Sequence, residues 1–343
     1  MIHGHGDDIG QYKGAIRANF SSNVWYGGLN PGLAAHLQDK IALLTHYPDP
    51  DAEALQQTAA VSYGLHPDQV LVTNGATEAI YLIAQAYRDR TATIFSPTFS
   101  EYGDACRLQG IGIQLRSGET ANSNQKFDTD LVFICNPNNP TGDAFATDLL
   151  RQFLQDNPDP LFVIDESYIE FTDATQSLLP RLATYPNLLI LRSLTKSCCI
   201  PGLRLGFALG RADRIRTLRD LKMPWSVNRL AIEAGRYIFD HPQQFTLPLT
   251  QLLAATADWR RQLQQATDWR IRHTDTHYFL VETTAPFTAA ALKLWLIREY
   301  GVLIRDASNF PGLTPYHFRV ACQSPDHNQL LTDALRQCSR TGI

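Results

Sequence analysis

Three observations predict an α/β fold, with a mostly parallel seven-stranded sheet between helices and a smaller α+β domain after it. Residues 70–235 alternate short apolar runs with longer amphipathic stretches, the pattern of strand–helix units feeding a parallel sheet. Most of those runs are continuously apolar rather than alternating, as strands buried on both faces require. Beyond a long helical stretch that ends near residue 267, the order changes to strand, helix, strand, strand and helix, which reads as a separate unit. The length of 343 residues fits two domains at about 150 residues each.

The strand candidates of the first unit are Val70–Thr73, Ala92–Phe95, Ile111–Leu115, Leu131–Cys135, Leu161–Asp165, Leu188–Arg192 and Leu205–Leu209. Between the first two, Ile80, Ile83, Ala84 and Tyr87 recur at helical spacing over Thr77–Arg88. The periodic stretch from His241 to Thr267 reads as one long connecting helix. The second unit follows as a strand at Tyr278–Glu282, a helix at Thr288–Tyr300, strands at Val302–Arg305 and His317–Cys322, and a helix from Asp326. Thr288, two residues after a proline, is a natural N-cap. No repeat, low-complexity tract or Pro/Gly-rich linker separates the units, so they are expected to pack closely with a site between them.

Composition narrows the function classes. Charged residues are 19%, the apolar set 44%, and the formal charge is −4, with both signs scattered. Neither a nucleic-acid backbone nor an anionic membrane is served by such a surface. Apolar runs reach only strand length, below the roughly 18 residues of a membrane span. The opening Met1-Ile-His-Gly-His-Gly-Asp-Asp8 has no basic or apolar leader region. The six cysteines form no C-x-x-C pair and no zinc spacing, and several sit in apolar runs, so they read as buried, reduced thiols of a cytoplasmic protein. His273 and His277, four apart, have no third ligand in view, and no metal is expected.

Ligands of open α/β sheets bind beyond the carboxyl ends of strands, and the chemistry-bearing residues gather there. The first strand runs into Asn74-Gly-Ala-Thr-Glu78, where Gly75 and Ala76 leave backbone N–H groups uncovered and Thr77 adds a hydroxyl at a helix N-terminus. This is either a phosphate cradle or an ordinary turn. Asn136-Pro-Asn-Asn-Pro-Thr-Gly142 is held in shape by its prolines, leaving asparagine amides for a ligand. Leu161–Asp165 closes in Asp165-Glu-Ser-Tyr168. A magnesium strand of a nucleotide hydrolase would need a G-x-x-x-x-G-K-[ST] loop, and the chain has no Gly-Lys dipeptide. Lys196 stands between an apolar strand and a Pro-Gly turn, in Ser193-Leu-Thr-Lys196. A desolvated lysine there has a lowered pKa and condenses with aldehydes; the alternative is a solvated loop lysine. Ser193, Thr195 and Arg204 around it suit a phosphate dianion. An imine-forming lysine, a carboxylate, a tyrosine, an asparagine and a phosphate cup are together what pyridoxal 5′-phosphate uses.

The order and spacing of Asn139, Asp165, Tyr168, Lys196 and Arg204 resemble the class I/II aminotransferase superfamily of fold type I. The chain is most similar to its group of threonine-phosphate decarboxylases and histidinol-phosphate aminotransferases. The likeness runs through His3-Gly-His-Gly6, Phe20-Ser-Ser-Asn23, Tyr47-Pro-Asp49, Pro97-Thr-Phe-Ser-Glu-Tyr102, Asn138-Asn-Pro-Thr-Gly142, Arg192-Ser-Leu-Thr-Lys196, Ile200-Pro-Gly-Leu-Arg-Leu-Gly206, Met223-Pro-Trp-Ser-Val-Asn228 and Phe318-Arg-Val320. It implies Lys196 as the lysine that holds the cofactor and shuttles protons, with Asp165 on the pyridine nitrogen. Tyr168 and Asn139 would bond the ring hydroxyl, and Phe99 would stack on the ring. Gly75, Ala76, Thr77, Ser193, Thr195 and Arg204 would hold the phosphate. Tyr47 would reach that phosphate from the other subunit of a homodimer. The same resemblance implies an N-terminal arm, 1–36, joining the small domain, a cofactor-binding large domain, 37–240, and a small domain, 241–343.

Which bond breaks depends on which one the site holds perpendicular to the cofactor ring, a matter of fine placement by anion-binding side chains. Leu303-Ile-Arg305 ahead of Asn309-Phe-Pro-Gly312, and the N-terminal His-Gly motif, resemble the decarboxylase branch. The expectation is therefore decarboxylation of L-threonine O-3-phosphate to an aminopropanol phosphate for the corrinoid side chain. The alternative is amino transfer from a phosphate ester such as histidinol phosphate to 2-oxoglutarate. Arg319, Arg305, His3, His5 and Asn23 are the substrate-binding candidates. Gln323 departs from the pattern where another arginine is usual, and the opening before Asn19 is short. A non-catalytic sensor would need an output domain, for which the chain leaves no room.

Overall fold

The computed structural model describes residues 6–12, 14 and 16–341. It opens with strand β1 (Ala18–Asn19) and helix α1 (Pro31–Lys40), where the Asn30 side chain accepts the Leu33 N–H and Pro31 takes the first helical position. Helix α2 (Glu53–Tyr63) ends on Gly64 in the left-handed conformation. The large sheet and its helices follow as β2 (Val70–Asn74), α3 (Gly75–Ala86), β3 (Thr91–Ser96), α4 (Ser100–Leu108), β4 (Gly112–Ser117), β5 (Leu131–Cys135), α5 (Thr147–Asp156), β6 (Leu161–Asp165), β7 (Leu188–Ser193) and β8 (Leu205–Gly210). Helices α6 (Ala212–Leu221), α7 (Arg229–Asp240) and α8 (Leu249–Ala266) lead to the second unit. That unit holds β9 (Arg270–Ile271), β10 (Tyr278–Glu282), α9 (Ala289–Tyr300), β11 (Val302–Leu303), β12 (Arg305–Asp306), β13 (His317–Ala321) and α10 (Pro325–Thr341).

The seven strands lie in the order β2-β8-β7-β6-β5-β3-β4. Only β8 runs against its neighbours; the ladders from β7 through β4 are parallel. Alternate residues of each strand feed two cores. Along β5, Val132 and Ile134 join one, and Leu131, Phe133 and Cys135 the other. Burial on both faces is why β5 and β6 carry no polar alternation.

The second unit is a four-stranded antiparallel sheet, β12-β13-β10-β9. Ala18 and Phe20 enter its core beside Trp259, Phe279 and Phe318, and β1 pairs in parallel with β11. Phe20 is pinned on both sides, its N–H donating to Leu303 O at 2.8 Å and its carbonyl accepting from Ala321 N at 3.0 Å. The next residues, Ser21–Asn23, are thereby delivered to the end of the large sheet.

Two expected elements differ. The single helix over 241–267 is a 3-10 turn at Pro242–Phe245 and then α8 from Leu249, because Pro242 and Pro248 remove N–H donors and extend the residue before them. The strand over 302–305 divides at Ile304 into β11 and β12, which pair with different partners.

Candidate active site

A cavity of 420 Å³ opens at the carboxyl ends of β5, β6 and β7, roofed by residues 6–7 and 21–23 and walled by β13. A larger hollow of 760 Å³ lies between β4 and the β9–β10 hairpin, but none of the residues to which the sequence assigns a cofactor or substrate role lines it. The smaller cavity collects them.

Asp165, the last residue of β6, is buried at the cavity floor. Ser167 donates to its Oδ1 twice, from N at 2.9 Å and from Oγ at 2.6 Å, an Asx-type turn set by the spacing of two. Tyr102 donates to Oδ2 at 2.7 Å. Burial raises the carboxyl's pKa, and these donors together with the Lys196 charge oppose the rise. Three donors are arranged for an ionised group. The neighbouring Glu166 faces away, with Arg192 Nε 3.1 Å from its Oε2 and Leu178 N donating to Oε1 at 2.8 Å. It is a buried structural anion.

Lys196 lies just past β7 with its amine in the cavity. It makes no hydrogen bond to any described side chain, and burial lowers its pKa to about 8, helped by the cations Arg204 and Arg319. Such an amine is available as a nucleophile near neutral pH. The Tyr168 hydroxyl stands in the same cavity, its pKa pushed up to about 12 by burial, so it remains a donor.

One corner is built for an anion. Asn74 gives α3 no side-chain cap, which leaves its first-turn N–H groups without that partner, and Ala76 and Thr77 of that turn line the cavity. Gly75 adopts φ +73, and a Cβ there would come within 2.7 Å of Arg204 Nη2. Gly206 on β8 lets that turn approach, since a Cβ there would meet the Gly75 carbonyl carbon at 2.6 Å. Ser193 Oγ and Thr195 Oγ1, 2.8 Å apart, complete the corner. Arg204 itself is exposed and donates to Pro201 O at 3.1 Å.

Of the three asparagines in the loop after β5, only Asn139 lines the cavity. Asn136 and Asn138 hold the loop: Asn136 Oδ1 accepts from Phe145 N at 2.7 Å, and Asn138 Nδ2 donates to Pro97 O at 2.8 Å. The second unit grips the same loop. Tyr278 Oη donates to Asn138 O at 3.1 Å, Asp275 N to Gly142 O at 3.0 Å, and Ala144 N to Asp275 Oδ2 at 2.8 Å.

Arg319 of β13 is buried against Asn139 Oδ1 and Ser21 O, to both of which it donates. Arg305 lies opposite it in register on β12. Arg305 does not line the cavity; it donates to Asn309 Oδ1 at 2.8 Å and lies over the Phe310 ring at 5.0 Å. Phe99 lines the cavity, edge-on to Tyr102 with centroids 5.8 Å apart. Asn23 lines it too, its Nδ2 donating to Tyr168 Oη at 3.4 Å. Tyr47 is absent from the lining and is 84% exposed beside Trp225. His3 and His5 fall outside the described residues. His273 and His277 diverge: the first is exposed and bonded to Asp275, the second fully buried.

Sequence reasoning gave no role to Tyr102, Ser167, Ser21 or Asp7, which all line the cavity. The i, i+2 relation to Asp165 was the available signal for Ser167. Asp7 N donates to Ser21 Oγ at 2.9 Å, and Asp8 pairs with Lys293 of α9 at 2.6 Å. These contacts fasten residues 7–8 over the site.

Residues 18–335 match the family described as aminotransferase class I and II. The chain belongs to the class I and II aminotransferases. Among curated members, a threonine-phosphate decarboxylase of Salmonella typhimurium is 32% identical over 95% of this chain and 92% of its own length. A histidinol-phosphate aminotransferase of Pseudomonas fluorescens is 31% identical over 90% of this chain and 85% of its own. Among solved structures, an L-threonine-O-3-phosphate decarboxylase from Porphyromonas gingivalis superposes with a TM-score of 0.90 at 37% identity, over 93% of this chain and 98% of that one. A histidinol-phosphate aminotransferase from Sinorhizobium meliloti, solved with pyridoxal-5′-phosphate, shares the fold, with a TM-score of 0.81 at 18% identity over 98% of this chain and 94% of that one.

This class I and II aminotransferase is accordingly a pyridoxal-phosphate-dependent enzyme of fold type I, and its residues fit the cofactor. The floor carboxylate has donors to keep it charged, the amine is desolvated and bonded to no described side chain, and the first turn of α3, uncapped by Asn74, suits an anion.

Proposed function

We propose that this enzyme decarboxylates L-threonine O-3-phosphate, releasing CO₂ and an aminopropanol phosphate of the kind used in corrinoid side chains. The observation that carries the reading is the buried guanidinium of Arg319 at the cavity wall, with a second guanidinium, Arg305, beside it on the adjacent strand and outside the lining. A substrate bearing both a carboxylate and a phosphate needs two anion sites, and the Arg319 guanidinium would supply one of them. Likeness at 37% identity to a solved decarboxylase supports the same reading.

Pyridoxal phosphate supplies a sink for the electron pair left when a bond to the substrate's Cα breaks. The chain's residues do the rest. Lys196 would hold the cofactor and, once freed, return a proton to Cα, which its lowered pKa suits. Asp165, kept ionised by Ser167 and Tyr102, would keep the ring nitrogen protonated. Tyr168 and Asn139 would bond the ring hydroxyl, Phe99 would pack on the ring, and the α3 N-terminus with Ser193, Thr195 and Arg204 would hold the cofactor phosphate. Arg319 and its neighbours would set which Cα bond stands perpendicular to the ring. His3 and His5 would extend the anion site from the arm.

A homodimer completes the proposal. Tyr47 stands with exposed Trp225, Met223 and Leu44, and an apolar face of this kind suits burial against a second copy, which would bring Tyr47 to the other copy's phosphate corner. The cysteines are all free, as suits the cytoplasm, and no helix among the described residues is long and apolar enough to cross a membrane.

Amino transfer is the second reading, favoured by the 31% identity to a histidinol-phosphate aminotransferase. Loaded enzyme is incubated with threonine phosphate and, separately, with histidinol phosphate plus 2-oxoglutarate. Stoichiometric CO₂ without a keto acid is expected; glutamate formation without CO₂ would overturn the decarboxylase.

A further inference from the structure

A short chain of buried groups joins the second unit to the Tyr168 hydroxyl. His277 stands at the head of β10, fully buried. One ring face stacks on Phe171 with centroids 4.1 Å apart, and Tyr278 meets it edge-on at 5.3 Å. Its Nε2 lies 3.0 Å from the backbone oxygen of Asn23. A carbonyl only accepts, so the imidazole proton sits on Nε2 and Nδ1 keeps its lone pair. Burial pushes the pKa of this ring down to about 3, with the cations Arg319 and Lys196 adding to the effect. His277 is therefore a neutral, fixed donor across the working range.

Nδ1 is buried and meets no hydrogen-bond partner among the described residues. An unpaired buried acceptor is costly, and a phenyl ring would fill the same slot without it. What the imidazole adds is the donor at Nε2.

Asn23 is the middle of the chain. It is 2% exposed, its carbonyl accepts from His277 Nε2, and its Nδ2 donates to Tyr168 Oη at 3.4 Å. The Tyr168 ring is braced from the other side by Tyr278, centroids 4.9 Å apart at 63°. His277 does not line the cavity and would act only through these neighbours.

We propose that His277 is a positioning residue: by anchoring the Asn23 carbonyl it holds the Asn23 amide on the Tyr168 hydroxyl, and so keeps that hydroxyl aimed at the cofactor's ring oxygen. The inference rests on the cofactor placement proposed above. Oη accepts from Asn23 while its own proton goes to the ring oxygen, so each bond polarises the next. The charged and titratable groups around Tyr168 are Arg319, Asp165, Cys135 and Tyr278; those around His277 are Arg319, Lys196 and Tyr278.

The test is the pH midpoint of the bound cofactor's absorbance change, measured on holoenzyme. His277→Phe keeps the stack on Phe171 and loses the donor. The ring oxygen's anion is then less stabilised, the linked nitrogen holds its proton to higher pH, and the midpoint rises by about half a unit. kcat falls severalfold with KM little changed. His277→Gln, whose amide nitrogen reaches the Nε2 position, restores the midpoint, whereas His277→Asn, reaching only the Nδ1 position, does not. Should His277→Phe fail to fold, this pair decides the matter alone. In a Tyr168→Phe background, the His277 changes should move the midpoint no further. A midpoint unmoved in His277→Phe, equal behaviour of the Gln and Asn variants, or a shift that survives loss of the Tyr168 hydroxyl would overturn the inference. If the parent chain takes up no cofactor and shows no band, the cofactor placement fails instead.

Discussion

Replacing Tyr102 by phenylalanine removes one oxygen from the floor of the site and almost nothing else. The ring is fully buried, stacked on Phe133 at 5.3 Å and 17°, and phenylalanine keeps that packing. What disappears is the donor to Asp165 Oδ2 at 2.7 Å. A hydrogen bond to an ionised group contributes about 1.5–3 kcal/mol, and one pKa unit is about 1.4 kcal/mol. The Asp165 pKa, already raised by burial, should therefore climb by about one unit, because Ser167 still serves Oδ1. On the proposed cofactor placement the ionised carboxylate is the working form, so its loss begins at higher pH. The acid limb of kcat/KM moves up by that unit, costing about tenfold at acid pH and little on the alkaline side. Stability moves with a defined sign as well. A carboxyl whose folded pKa exceeds its unfolded value favours the fold below the unfolded pKa, and this is lost as pH rises through the folded one. The cofactor-free variant should therefore melt lower than its parent at neutral pH. An acid limb that stays in place would refute Tyr102 as the support of the Asp165 charge.

Arg192→Gln should strand Glu166 and Glu170, which it meets at 3.1 and 2.7 Å, at about 3–5 kcal/mol. The melting temperature falls by about five degrees and partly recovers in mild acid, where burial lets Glu166 take up a proton; equal melting curves would mean the pair is not structural. Gly206→Ala places a methyl against the Gly75–Ala76 turn and should weaken cofactor binding by about tenfold or more, from about 1–3 kcal/mol of overpacking. Equilibrium titration with pyridoxal phosphate reads this, and an unchanged Kd would mean the turn does not hold the phosphate.

The parts of the site legible in the sequence are those where one strand end carries the chemistry. Asp165, Asn139 and Lys196 each follow an apolar run, and an apolar run that stops on a polar residue is visible without any fold. Tyr102 and His277 were not legible in this way. Each acts on a residue far along the chain, 63 and 254 positions away, so its role exists only after folding. β1 is two residues long and carries no periodicity, yet it carries Ser21–Asn23 to the cavity. The split at Ile304 was hidden because an apolar run does not state its partners. Arg305 and Arg319 look alike in sequence; register sets them side by side across two strands, yet only Arg319 lines the cavity, since Arg305 turns to Asn309 and Phe310.

The loop that presents Asn139 is riveted to the smaller unit by Tyr278 and Asp275, while its root continues a central strand of the large sheet. Any swing of the smaller unit must therefore pull on that amide. If Arg319 grips the substrate and Asn139 the ring, as proposed, the two would be strokes of one lever, and a substitution that loosens the rivets would uncouple capture from chemistry without touching either.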